Sequence, residues 1–291
     1  VYVRSVRSYG DRVCGRNSAY AAYPVEFRLD PSGLAVITIY SFSDDLPLTV
    51  RLWERAIQLA RFNEVEGVII DIRQNGGGSG FLGDQLPAYF FDQPYVIGNT
   101  AEYSKARNAF VINPLLEDKF ILPPDDLRYA GPVAVLISPD CASACESFAW
   151  AMTVNDRAAI VGHYPTAGLG GSVVPIAMPD GASFSYTNSR AVDAEGNISI
   201  EGIGVQPTVR VPVTEETIFA TSDVLMHAAI DYLSGLVATS QTDIPQSGAS
   251  GSGDAVEGGR VSLGQTVSGV LDAGTSVRFV LEARAGQVLD I

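Results

Sequence analysis

Apolar positions along this chain fall into short solid runs, helical stripes and alternating stretches, and their order predicts a layered α/β protein. Residues 25–45 read as two strands around the turn Asp30-Pro-Ser-Gly33. The second of them, Leu34-Ala-Val-Ile-Thr-Ile-Tyr40, is apolar except at Thr38 and, at its end, Tyr40. Residues 47–63 carry Val50, Leu52, Trp53, Ile57, Leu59 and Ala60 at helical spacing between arginines and glutamates. Gly67-Val-Ile-Ile-Asp-Ile-Arg73 is a buried strand, followed by the glycine-rich turn Gln74-Asn-Gly-Gly-Gly-Ser-Gly80 and a helix over 85–91. A second solid run over 133–137 breaks at Ser138-Pro-Asp140 and leads through small residues into an apolar helix from about Ala144. Residues 158–162 form a further strand, and 172–178 with 183–187 a hairpin turned at Pro179-Asp-Gly181. Residues 215–234 read as one amphipathic helix. Strand, helix, strand, glycine turn, helix and strand in that order imply a largely parallel sheet.

Past this core the pattern changes. Residues 234–259 are rich in Ser, Gly, Thr, Gln and Asp, the composition of a flexible linker. Beyond it, Arg260-Val-Ser-Leu-Gly-Gln-Thr-Val-Ser-Gly-Val-Leu and Val277-Arg-Phe-Val-Leu-Glu alternate with period two, as in an antiparallel β module. The expected organisation is a core over 1–233, a linker over 234–259 and a truncated β-rich domain over 260–291. The chain begins at Val1 without a signal peptide and stops at Ile291 inside what reads as a strand, as a fragment would.

Composition narrows the function. A net charge of −14, with lysine only at Lys105 and Lys119, argues against a nucleic-acid or anionic-membrane surface. No apolar run approaches the length that spans a bilayer. Cys14, Cys141 and Cys145 lack metal-ligand company; Cys14 could tether its polar loop to one of the other two in an oxidising compartment, or all three could be unpaired thiols. Neither a metal centre nor a cofactor is expected.

The candidate chemistry centres on Ser143. A serine at a strand-to-helix turn has its hydroxyl lifted out of the core, beside the free N–H groups of a helix N-terminus that can stabilise an oxyanion. The same residue, with Glu146 three positions on, also fits a capping box that needs no chemistry. The glycine turn lacks the Lys-Ser/Thr of a phosphate loop and the glycine spacing of a dinucleotide site. Its three consecutive glycines make better sense as backbone donors aimed at a ligand oxygen.

Gly67-Val-Ile-Ile-Asp-Ile-Arg-Gln-Asn-Gly-Gly-Gly78 is similar to the "G-L-I-L-D-L-R-x-N-x-G-G" signature of the C-terminal processing (tail-specific) serine peptidases of family S41. Cys141-Ala-Ser-Ala-Cys-Glu146 resembles that family's nucleophile turn, usually "S-A-S-A-S-E". Residues 162–171, Pro179-Asp-Gly181 and Glu201-Gly-Ile-Gly-Val-Gln-Pro-Thr-Val-Arg-Val match its later segments in the same order, so the resemblance covers roughly residues 25–220. It implies a crotonase-like, Clp-protease-like core of ββα units. The C-terminal stretch resembles the start of a bacterial pre-peptidase C-terminal domain, and a peptide-binding PDZ-type module commonly precedes the core in this family.

Carried over, the resemblance makes Ser143 the nucleophile, the amides of Ala144 and Gly77 (or Gly78) the oxyanion hole, and Glu146 a support for the loop. The departure is in the base. The family's "P-T-x-G-K-G" lysine is Leu169 here, which accepts no proton. The branch resembling the tricorn core protease uses Ser-His with a supporting glutamate. Glu201 falls where that glutamate is expected, but Thr38 is the nearest match to its histidine. Of the two histidines, His227 reads as structural, and His163, at a strand exit in the active-site loop, is the local candidate base. The leading expectation is a serine endopeptidase acting on polypeptide, in an extracytoplasmic location. A weakened S41-like fold that binds polypeptide or apolar ligands without cutting is the runner-up, favoured by the missing lysine and strand histidine. A crotonase-type acyl-CoA enzyme would explain the sheet and glycines but not Ser143, and the charge is unfavourable for CoA phosphates.

Overall fold

The computed structural model describes residues 23–179, 181–242, 256–261 and 277–281. Strands β1 (Val25–Leu29) and β2 (Ala35–Ile39) pair antiparallel across the predicted turn, where Asp30 Oδ1 accepts from Ser32 N at 3.1 Å. Helix α1 (Leu46–Phe62) starts where Asp45 caps Leu48 N at 2.8 Å. It buries Thr49, Trp53, Ala56, Ile57 and Ala60, one stripe at helical spacing. β3 (Val68–Asp71) follows and runs parallel to β2.

The next segment departs from the sequence pattern. The helix expected over 85–91 is instead α2 (Gly80–Gln85) running into a 3-10 turn, Leu86–Phe90. Flanking glycines hide its start from a periodicity reading. β4 (Val96–Ser104) and β5 (Ala109–Lys119) then form a long antiparallel pair that no solid apolar run announces, because much of it is exposed. The chain re-enters the main sheet as β6 (Val133–Leu136), crosses over through α3 (Ala144–Ala151) and returns as β7 (Ala159–Gly162). The hairpin β8 (Val173–Ala177) and β9 (Ser183–Thr187) stands as predicted. β10 (Ser189–Val192) joins β4, and β11 (Val209–Arg210) closes the main sheet. That sheet has the order β1-β2-β3-β6-β7-β11, with all but β1 parallel.

Strand alternation splits the core into two layers. On one face Ile37, Ile70, Val135 and Ile137 meet Trp53 and Ile57 of α1 and Phe148 of α3, and the Trp53 ring stands edge-on to Phe148 at 5.9 Å. On the other, Val36, Ile69, Leu136 and Val161 meet Leu225, Ala229 and Leu233. Each such fully buried side chain contributes about 1.5–3 kcal/mol, so the layers fix where β3 and β6 end.

The single helix expected over 215–234 is two, α4 (Glu215–Ile218) and α5 (Val224–Thr242), because Asp223 accepts from Met226 N at 3.1 Å and starts a new helix. α5 also runs past residue 234 into the stretch read as linker. The chain divides into two compact units at Val237 and Ala238. In the second, β12 (Val256–Val261) and β13 (Val277–Leu281) pair parallel, not antiparallel as expected. Period-two alternation marks a strand without giving its direction.

Candidate active site

Ser143 owes its position to two turns that meet at the ends of β3 and β6. After β6, Ser138 Oγ donates to Arg73 O at 2.6 Å and accepts from Asp140 N at 3.1 Å, which folds Ser138-Pro-Asp140 back on the β3 exit. Ala142 N donates to Asn75 O at 3.3 Å, and Ser143 itself sits at φ 57°, ψ −125°. A non-glycine residue there costs about 1–3 kcal/mol and persists only where its surroundings hold it. The result is an exposed serine at the N-terminus of α3. Half of the capping box is a formed hydrogen bond, Ser143 N to Glu146 Oε2 at 3.0 Å. The hydroxyl half is an approach without hydrogen-bond geometry, so the serine oxygen is not committed to capping the helix.

The glycine turn lies against this serine. A Cβ on Gly77 would sit 2.5 Å from Ala142 O and 2.9 Å from Ser143 Cβ, at a φ of 94°, so only glycine permits this approach. Gly77 N–H already donates to Asn75 Oδ1 at 2.9 Å. Among the described residues, the N–H groups of Gly78 and Ala144 have no acceptor. Asn75, fully buried, thus builds the turn through both its side chain and its carbonyl. It was not singled out from sequence, although Asn two residues before Gly is the signal of an Asx turn.

Glu146 is fully buried and accepts four hydrogen bonds. Oε1 takes Thr166 Oγ1 at 2.7 Å and Gly168 N at 2.6 Å, and Oε2 takes Ser143 N and Leu169 N, the latter at 2.7 Å. Thr166 Oγ1 in turn accepts from Val205 N at 2.7 Å, and Gly202 N donates to Gly168 O at 2.8 Å. One carboxylate therefore ties the Ser143 turn, the 165–170 loop and the 200–205 loop together. Three segments distant in sequence meet as the motif order suggests.

The candidate bases are not joined to the serine. His163 Nδ1 donates to Val211 O at 2.8 Å, which fastens the ring to the strand exit beside β11. Glu201 forms an ion pair with Arg190 at 3.6 Å, and that guanidinium lies over the Phe110 ring. Thr38 pairs in register with Asp71 of β3 and falls, by alternation, on the sheet face of Leu34 and Val36. No hydrogen bond links any of the three to Ser143. Lys105 lies in the turn between β4 and β5, and His227 is exposed on α5. The Cys14 tether lies outside the described residues. Cys141 and Cys145 bond to each other instead of standing as thiols, so a disulfide brackets Ser143.

A carboxyl pair adjoins the site unannounced by the sequence. Asp84 of α2 is pushed up to about 7 by burial and by the nearby Asp118 of β5, against a hydrogen bond from Ser147 of α3 that lowers it. Asp118 is raised too, by burial.

Comparison with known proteins agrees with this architecture. The family model "Peptidase family S41" matches residues 33–211. A candidate peptidase from Parabacteroides merdae superposes with a TM-score of 0.62 at 24% identity, covering 80% of this chain and 70% of its own. The photosystem II D1 C-terminal processing protease gives 0.50 at 23% identity, over 72% of this chain and 52% of that one. Mature CPAF complexed with lactacystin gives 0.55 at 20% identity, over 75% and 54%. At these identities the likeness shows the fold, a Clp-protease-like α/β core. By sequence, the Arabidopsis thaliana carboxyl-terminal-processing peptidase 2 is 25% identical over 62% of this chain and 32% of that protein. A Chlamydia trachomatis protein is 33% identical over 47% and 24%. The matches thus span about a quarter to a third of these curated relatives' length.

Proposed function

From the premise that this chain belongs to peptidase family S41, we propose that it hydrolyses peptide bonds of a polypeptide substrate with Ser143 as nucleophile. Ser143 Oγ attacks the scissile carbonyl, an acyl-enzyme forms with loss of the amine, and water releases the acid. The developing oxyanion is held by the N–H groups of Ala144 and Gly78, neither of which is taken by an acceptor among the described residues. The observation that carries the reading is the exposed Ser143 at positive φ, packed against Gly77, where no Cβ fits. A structural cap needs neither. The Cys141–Cys145 bond favours an oxidising, extracytoplasmic location, and no described helix is long and apolar enough to cross a membrane.

One observation favours the second reading, a fold that binds polypeptide without cutting it: among the described residues no proton acceptor is hydrogen-bonded to the Ser143 hydroxyl, and Leu169 occupies the family's lysine position. Intact-mass spectrometry after incubation with a fluorophosphonate probe separates the two. Stoichiometric labelling, lost in Ser143→Ala, supports the peptidase; a folded wild type that takes no label supports the binding fold. The same assay on His163→Ala tests that histidine as the base.

A further inference from the structure

On its N-terminal side the Ser143 turn is held by main-chain hydrogen bonds, among them Cys141 N to Ser138 O at 3.0 Å. Ala142 N reaches Asn75 O only at 3.3 Å, and Ala167 N meets Cys141 O at 2.9 Å. Ser143 has no side-chain cap bond, yet sits at φ 57°. Cys141 and Cys145 bracket it, four residues apart, one before the strained serine and one in the first turn of α3. Both are fully buried, and Cys145 Sγ also approaches Ile72 O at 3.5 Å. The covalent ring of residues 141–145 encloses the serine and the Ala144 amide, and nothing else of the site.

We propose that the Cys141–Cys145 disulfide is a positioning crosslink, which holds Ser143 Oγ and the Ala144 N–H in the relative geometry that acyl transfer needs. The inference rests on Ser143 being the nucleophile. A ring of five residues limits the backbone torsions on both sides of Ser143 at once. Opening it lets Ser143 relax from the positive-φ region toward ordinary N-cap torsions, which turns its hydroxyl away from the hole. A misplacement of about 1 Å costs about a hundredfold in rate. The buried sulfurs make this a built-in constraint of the folded site.

The test compares the 291-residue chain with the double variants Cys141→Ser/Cys145→Ser and Cys141→Ala/Cys145→Ala. Alkylation in denaturant without reduction, followed by peptide mapping, reads the bond directly: Cys141 and Cys145 stay unmodified, and free thiols at both overturn the inference. The rate constant for fluorophosphonate labelling is then measured well below each variant's melting temperature. The expected result is a fall of about a hundredfold in both folded double variants. Folded double variants that label at the wild-type rate would make the disulfide a stability element and overturn the proposal. Reducing the wild type with a dithiol gives two thiols as the dithiol closes to its own disulfide. Labelling should slow, and recover when oxidised glutathione restores the bond, while neither double variant responds. A folded wild type that takes no label at all removes the nucleophile reading and this inference with it, an outcome distinct from equal labelling.

Discussion

Ser143 and Leu169 share one acceptor: both backbone amides donate to Glu146 Oε2, at 3.0 and 2.7 Å. A single buried oxygen thus sets the residue at the nucleophile position beside the residue at the position where the family carries its lysine. Leucine there is more than half exposed, 61% by area, so a longer side chain can be accommodated.

That neighbourhood makes Leu169→Lys a gain-of-function variant. The neutral amine of a lysine at this position takes the proton of Ser143 Oγ as that oxygen attacks, general-base catalysis worth about 10²-fold or more. Fluorophosphonate labelling rates against pH are expected to rise in the variant, with a new basic limb. An unchanged rate and profile would show that position 169 does not reach Ser143.

Removing the shared acceptor should loosen two loops together. Glu146→Ala leaves the amides of Ser143, Gly168 and Leu169 and the Thr166 hydroxyl without their acceptor. The expected loss is about 3 kcal/mol or more in urea unfolding, with labelling abolished. Thr166→Val, nearly equal in shape, removes one donor to Glu146 and the acceptor of Val205 N, at a cost of about 1–3 kcal/mol.

The glycine turn should resist side chains in a graded way. A Cβ on Gly78 would meet the Phe42 backbone, and one on Gly77 would meet Ala142 O and Ser143 Cβ, both at positive φ. Gly80 has open space. Alanine at 77 or 78 should therefore cut labelling by about 10²-fold or more, and alanine at 80 should leave it near wild type. Equal rates in all three would place the oxyanion site elsewhere.

The Asp84 and Asp118 pair predicts a pH-dependent stability. Asp84 rises from an ordinary 3.8 to about 7 in the folded chain. Below about pH 4 both folded and unfolded chains hold its proton, and it makes no difference. Between there and about 7 the folded chain keeps a proton that the unfolded chain has released, so stability falls as pH rises, by on the order of 1–3 kcal/mol in all. Asp84→Asn should flatten this slope in urea titrations run from pH 4 to 8. A slope that persists in the variant would assign it to other groups.

The sequence by itself determined the parallel core, the serine at the β6–α3 turn, the glycine turn opposite it and the missing lysine. Solid apolar runs, turn residues and ordered local motifs carry that information within a few positions of each residue. It did not reveal β4 and β5, whose half-exposed strands lack a solid run, nor the break between α4 and α5, which depends on one capping aspartate. Only the tertiary structure showed that the Gly77 amide is taken, because that turns on where Asn75 Oδ1 points. It alone paired Cys141 with Cys145, fastened His163 to Val211 and Glu201 to Arg190, and made Glu146 the knot of three loops. Each of these is a choice among partners brought close by chain segments far apart in sequence, and local pattern does not rank such partners. Distance and burial do.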